Sequence, residues 1–297
     1  MADDQKFISD LQSSSADVRF AAWRAAGEVT PAVIPQVGKL AASTTPGIAK
    51  AAREALTTLT HAVGKDPAAP NRAGVVKGLI ELTGASYALD VRAHALRLLS
   101  GIAGDDAIPA IAKHMTSPEL REEAIYCLER IPTAGAIAAI AASYAGAKDD
   151  FKPRILAALG HRRAAEGVPL CVQAMQSANA ELALAGLKAY GRIGQKPAAA
   201  ARIPDAKALA PWQATEHADS LLRYADAQAK AGNAVEAMRL YQAALNRSEE
   251  HYQCAAVIGL AKLGTAEAAA ALLPKLKSAN ARVRITAQQA WQSMAKV

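Results

Sequence analysis

One local pattern of apolar and polar positions returns along most of the chain. It reads an apolar residue, often Arg next, two variable residues, then Ala. Clear copies are Val18-Arg19 with Ala22, Val91-Arg92 with Ala95, Leu120-Arg121 with Ala124, and Val283-Arg284 with Ala287. Looser copies begin at Ile48, Phe151, Leu182 and Tyr252. Successive anchors lie 30, 43, 29, 31, 31, 70 and 31 residues apart. The 43 reads as one unit with an insertion and the 70 as two units with extra length. A fixed period of this size is the signature of a repeat architecture.

Helical geometry explains the columns. At about 100° per residue, positions +4 and +8 fall on the anchor's own face. Position +8 is Ala26, Leu56, Leu99, Leu128, Leu159, Tyr190, Leu260 and Trp291, apolar throughout. Position +4 is Ala22, Ala52, Ala95, Ala124, Ile155, Gly186, Ala256 and Ala287, mostly small. Small residues at one fixed point let helices approach, and large ones fill the space behind. Each copy therefore predicts the second helix of a pair with one buried stripe. First helices are expected at 32–40, 107–115, 135–144, 168–175 and 266–276, which are apolar at helical spacing. Thr45-Pro46 and Ser117-Pro118 read as N-cap and first-turn proline, and Asp149-Asp150 before Pro153 have the same role. Gly104, Gly160, Gly194 and Gly264 stand where a left-handed C-cap is wanted.

A helix pair of about 30 residues, stacked repeatedly, is an α-solenoid. The expected fold is all-α, a right-handed α-solenoid of about eight to nine antiparallel pairs. The columns resemble the HEAT family, particularly the short bacterial HEAT-like repeats also found in phycobilin lyases, over roughly 5–194 and 248–296. By that resemblance, Asp17/Arg19, Asp90/Arg92, Arg121 and Arg284 would form a ladder between neighbouring units. Ala49, Ala183 and Gln253 interrupt it.

Three segments follow from the pattern: a HEAT-like arm over 1–194, a connector over 195–211, and a C-terminal helical arm over 212–297. The connector holds three prolines and no sustained stripe. In the C-terminal arm, Ala225, Gly232, Ala237, Tyr241 and Ala244 resemble a single tetratricopeptide repeat, which gives two further antiparallel helices. Residues 65–72 form a second candidate loop.

Composition narrows the class. The chain has 297 residues and 74 alanines, against three Phe, three Trp and seven Tyr. Strands favour β-branched and aromatic residues, so this content argues against an all-β fold and for helices. With 52% hydrophobic residues, general disorder is excluded. The formal charge of +7 permits a nucleic acid or acidic partner without demanding one. Cys127, Cys171 and Cys254 are far apart and read as small buried thiols. No run reaches the roughly 20 strongly apolar residues of a membrane span. The N-terminal residues lack the basic and apolar regions of a secretory signal. A cytoplasmic setting is expected, with a periplasmic or secreted one the alternative if a leader has been removed.

Signatures of chemistry are few. Gly186 to Gly191 has P-loop spacing, but Arg192-Ile193 follow where Lys-Ser/Thr is needed. The HEAT-repeat deoxyhypusine hydroxylases rely on His-Glu pairs, and no His-Glu dipeptide occurs. The reversed pairs Glu216-His217 and Glu250-His251 could converge on a metal only in principle, because adjacent helical residues point about 100° apart. Nothing specific supports the chromophore handling of a lyase. A HEAT-repeat DNA binder would need one charge sign along its groove, whereas the second helices alternate, with 118–131 negative.

No catalytic residue, metal or cofactor is assigned. The expected function is a non-enzymatic protein- or peptide-binding scaffold, with nucleic-acid binding through backbone phosphates as the alternative. The outward row, position +6, would meet the ligand. From it, Arg24, Arg97, Tyr126 and Lys188 are the candidate binding residues, because Arg and Tyr are frequent interface anchors.

Overall fold

A computed structural model describes residues 3–196, 202–204 and 209–294. Among these residues every regular element is helical. The chain divides into two compact units, Met1–Gly146 and Ala147–Val297.

In the first unit the helices alternate as first and second members of pairs. They are α1 (Asp4–Leu11) with α2 (Ala16–Arg24), α3 (Ile34–Leu40) with α4 (Pro46–Gly64), α5 (Arg72–Leu82) with α6 (Leu89–Ile102), and α7 (Ile108–Ala112) with α8 (Arg121–Arg130). The last helix of the unit is α9 (Ala134–Ser143). Second helices pack in succession, α2 on α4, α4 on α6 and α6 on α8, while α3 packs on α5 and α7 on α9. The insertion behind the 43-residue spacing is the non-helical stretch between α4 and α5.

The second unit holds α10 (Lys152–His161), α11 (Val168–Met175), α12 (Ala180–Ile193), α13 (Pro211–Lys230), α14 (Ala234–Leu245), α15 (Glu250–Leu263), α16 (Ala266–Leu272) and α17 (Ala281–Met294). Here α10 packs on α12, α12 on α13, α13 on α14, α14 on α15, and α15 on α17. This stacking of helix pairs, each touching its sequence neighbours, is the construction of an α-solenoid.

The buried stripe lies where the repeat places it. Every residue of column +4 is buried. In column +8, Ala26, Leu99, Leu128, Leu159 and Leu260 have no exposure, and Leu56 and Tyr190 almost none. Trp291 is the exception. It is only half-buried on α17, the last described helix, and so does not share the core position of its counterparts. Removing the stripe from water is the main stabilising term of each pair.

Helix ends depart from the sequence reading in instructive ways. Gly194 (φ 74°) and Gly264 (φ 66°) are left-handed C-caps as expected. Gly160 lies inside α10, whose left-handed residue is Arg163 (φ 50°), and Gly104 is extended. The helix after Ser117-Pro118 begins only at Arg121, so that pair shapes a turn rather than a cap. A column missed in the sequence is an apolar residue followed by proline. Ile34-Pro35, Ile108-Pro109 and Val168-Pro169 each open a first helix directly after a 3-10 turn. Proline fits there because the first turn has no intrahelical acceptor for its missing N–H.

Three of the repeat arginines, Arg19, Arg92 and Arg284, bond locally rather than to a neighbouring repeat. Arg19 donates to the Ser13 and Ser14 carbonyls at 2.6 and 2.9 Å. Arg284 does the same to Ser278 and Ala279 at 2.6 and 3.4 Å, and Arg92 reaches Thr83 O at 3.0 Å. Each arginine thus bonds carbonyls of the turn before its own helix, groups that a helix end leaves without partners. Asp90, one of the predicted ladder residues, does join neighbouring repeats, pairing from α6 with Arg53 on α4. The expected connector, 195–211, lies partly outside the described residues. Of its described parts, 195–196, 202–204 and 209–210 are not helical, and Pro211 already opens α13.

Candidate functional site

The outward face of the second helices in the first unit carries several exposed aromatic and charged side chains. It starts on α2 with an aromatic cluster. Phe20 and Trp23 meet edge to face with ring centroids 5.1 Å apart, and the Arg24 guanidinium lies 5.6 Å from the Phe20 ring. Phe20 is 50% exposed and Trp23 half-buried. Sequence reasoning selected Arg24 and missed Phe20, although i and i+4 on one helix face is the spacing that places them together.

Further along, Arg97 on α6 donates to Glu123 on α8 at 2.8 Å. Tyr126 lies one turn beyond Glu123, 43% exposed, with the Arg130 guanidinium 5.5 Å from its ring. A hollow of about 540 Å³ opens beside them, at the C-terminal ends of α4 and α6. Its wall includes His61, Lys65, Arg97 and Arg130 around the apolar Leu98 and Ile102. Cations at helix C-termini are favoured by the helix dipole, so the fold itself stabilises this basic rim. Two of the four predicted residues, Arg97 and Tyr126, thus lie on packed helices, with Arg97 paired to Glu123 one turn before Tyr126. Arg130, on the same face as Tyr126, was not anticipated.

Lys188 lies on α12 in the second unit and is ion-paired with Glu216 of α13. The neighbouring His217 is buried, its Nε2 2.9 Å from Pro204 O, while His251 stacks on Tyr252 with centroids 4.0 Å apart. Among the described residues, no three His, Cys, Asp or Glu side chains gather as metal ligands. Other titratable groups serve packing. Burial lowers the pKa of His94, which lies 3.5 Å from Thr57 Oγ1, and also that of His114. Burial pushes the Cys127 and Cys171 thiols up to about 12.

No protein-family model and no curated protein matches the chain. Solved structures do. A Kap121p mutant aligns with a TM-score of 0.60 at 12% identity, over 98% of this chain and 37% of that one. Kap95p, in a structure describing its binding to RanGDP, aligns with a TM-score of 0.51 at 13% identity, over 98% of this chain and 43% of that one. The chain therefore spans well under half the length of these karyopherins. Human deoxyhypusine hydroxylase aligns with a TM-score of 0.40 at 17% identity, over 76% of this chain and 98% of that one, too distant to carry an argument. The helix pairs, the buried columns and the karyopherin alignments agree: the chain has the fold of a HEAT-like α-solenoid repeat protein.

Proposed function

We propose that this chain is a non-enzymatic scaffold that binds a protein or peptide. The observation that carries the reading is the exposed Tyr126 against the Arg130 guanidinium, one turn from Glu123 and its partner Arg97, with both arginines lining a 540 Å³ hollow. Tyr and Arg dominate interface hot spots because each combines a large contact area with directional hydrogen bonding. The Phe20–Trp23–Arg24 cluster is a second anchor of the same chemistry, and Lys188 is the corresponding contact of the second unit. Kap95p, which shares the fold, is a protein that binds another protein, RanGDP. The three buried free thiols suit a reducing compartment, consistent with a cytoplasmic setting.

The test is photo-crosslinking from position 126 in the native cell, followed by identification of the adduct. A discrete protein adduct that disappears in Arg97→Glu/Arg130→Glu is the expected result. Adducts to nucleic acid, turnover of a substrate, or stoichiometric metal in the purified protein would each overturn the reading.

A further inference from the structure

The second unit contains a cleft of about 780 Å³ where α10, α12 and α13 end together. Its wall carries His161, Arg163, Arg192, Arg223 and Lys230, with Asp226 the one carboxylate. Close packing forces these charges into company. A Cβ on Gly191 would lie 2.3 Å from Ser220 O, and one on Gly194 would lie 2.4 Å from the Ala227 Cβ. Only glycine permits α12 to approach α13 this closely, and that approach brings Arg192 alongside Arg223 and Lys230. Among the described residues, none of Arg163, Arg192, Arg223 and Lys230 has an ion-pair partner. Asp226 is already engaged, accepting the buried Tyr241 hydroxyl at 2.6 Å. Four cations against the single Asp226 carboxylate leave an excess of like charge that disfavours the folded unit, and an anion in the cleft would relieve that repulsion.

We propose that this cleft binds an acidic segment of a protein partner. The inference rests on the protein-binding reading above and adds the chemistry of the partner. Arginine pairs with carboxylates in a two-pronged geometry, and the cleft offers Arg163, Arg192 and Arg223 for it. Two features favour a peptide over a nucleic-acid backbone. The basic surface is short: further along the same two helices the charges are neutralised in the Lys188–Glu216 pair. A phosphodiester chain needs one sign over a longer track. The Asp226 carboxylate in the wall opposes any anion alike, but it can accept a peptide N–H, a group that a DNA backbone lacks.

The experiment is fluorescence anisotropy on the full chain with three labelled probes: hexaglutamate, hexaglutamine, and an oligothymidylate of matching charge. Hexaglutamate is expected to bind, more weakly as salt rises, with hexaglutamine inactive and the oligothymidylate weaker. Arg192→Glu/Arg223→Glu is expected to weaken hexaglutamate binding at least about tenfold. The milder Arg192→Gln/Arg223→Gln, which leaves the packing untouched, should fall between. Lys39→Glu/Lys77→Glu in the first unit, with the same change in net charge, should stay within about twofold. Tighter binding of the oligothymidylate, absence of hexaglutamate binding, or equal losses in the Lys39/Lys77 variant would overturn the proposal. Crosslinking through position 126 reads the scaffold function separately, so its survival alongside a failed hexaglutamate result would remove this cleft alone.

Discussion

Gln228, fully buried on α13, donates its Nε2 to Gly194 O at 2.6 Å, across the proline-bearing segment between α12 and α13. Its Oε1 accepts the Asn233 side chain at 2.9 Å. One glutamine therefore satisfies the left-handed cap of α12 and the turn into α14 together. Gln228→Leu would fill the volume but leave the Gly194 carbonyl without its partner. It should cost about 1–3 kcal/mol, read as a lowered denaturation midpoint. Gln228→Glu should cost more at neutral pH, because its carboxylate would face that carbonyl.

Gly191 and Gly101 make a matched pair with opposite outcomes. A methyl group on Gly191 collides with the backbone oxygen of Ser220, which cannot swing aside. Gly191→Ala should destabilise the protein by about 1–3 kcal/mol. Gly101, on α6, has open space where a Cβ would stand, with nothing within 4 Å, and its backbone is helical. Gly101→Ala should stabilise by about 0.5–1 kcal/mol through reduced backbone freedom in the unfolded chain.

The Arg97–Glu123 ion pair should contribute little to stability. Arg97 is 65% exposed, so water and salt screen the attraction. A double-mutant cycle with Arg97→Ala and Glu123→Ala is expected to give a coupling of about 0.2–1 kcal/mol that shrinks with added salt. Arg97 is thus free to exchange its internal partner for an external one at small cost. A coupling several times larger would mark it as a structural residue instead.

Stability should fall on mild acidification. Burial lowers the pKa of His94; a hydrogen bond to the Arg53 backbone and the Glu54 charge oppose this, while the Arg53 and Arg97 charges add to it. Burial, Arg92 and Lys113 lower that of His114. The unfolded chain then takes up protons at a higher pH than the folded one. The contribution is complete above the ordinary histidine value of about 6.5 and is lost as pH falls through it toward the depressed folded values. Denaturation of wild type at about pH 7.5 and about pH 5.5 should show the drop, and His94→Gln/His114→Gln should flatten it.

The thiols of Cys127 and Cys171 should resist alkylation in the native state at mildly alkaline pH. Both have no exposed surface and pKa values pushed up to about 12 by burial, so almost no thiolate is present to react. Mass spectrometry after iodoacetamide treatment should find them unlabelled until denaturant is added.

Much of the architecture was legible in the repeat because its columns are set by local geometry. Ala52, Ala95 and Ala124 announce helix contacts, since only small side chains let second helices stack. Helix ends were less legible. Ser117-Pro118 has cap chemistry, but the backbone spends those residues on a turn. The arginines of the repeat were legible as a column and not as a role. Whether Arg19 meets a neighbour's carboxylate or its own turn's carbonyls depends on a few ångströms of side-chain reach.

The period, the helical class and the buried stripe are readable along the chain, because each follows from side-chain size and spacing within about 30 residues. Which exposed groups become neighbours is set by the packing of the folded helices. Arg97 meets Glu123, one turn from Tyr126, because α6 packs on α8, and Arg192 and Arg223 line one cleft because Gly191 lets α12 close on α13. Such groupings depend on distances between helices far apart in the chain, which a one-dimensional pattern does not contain.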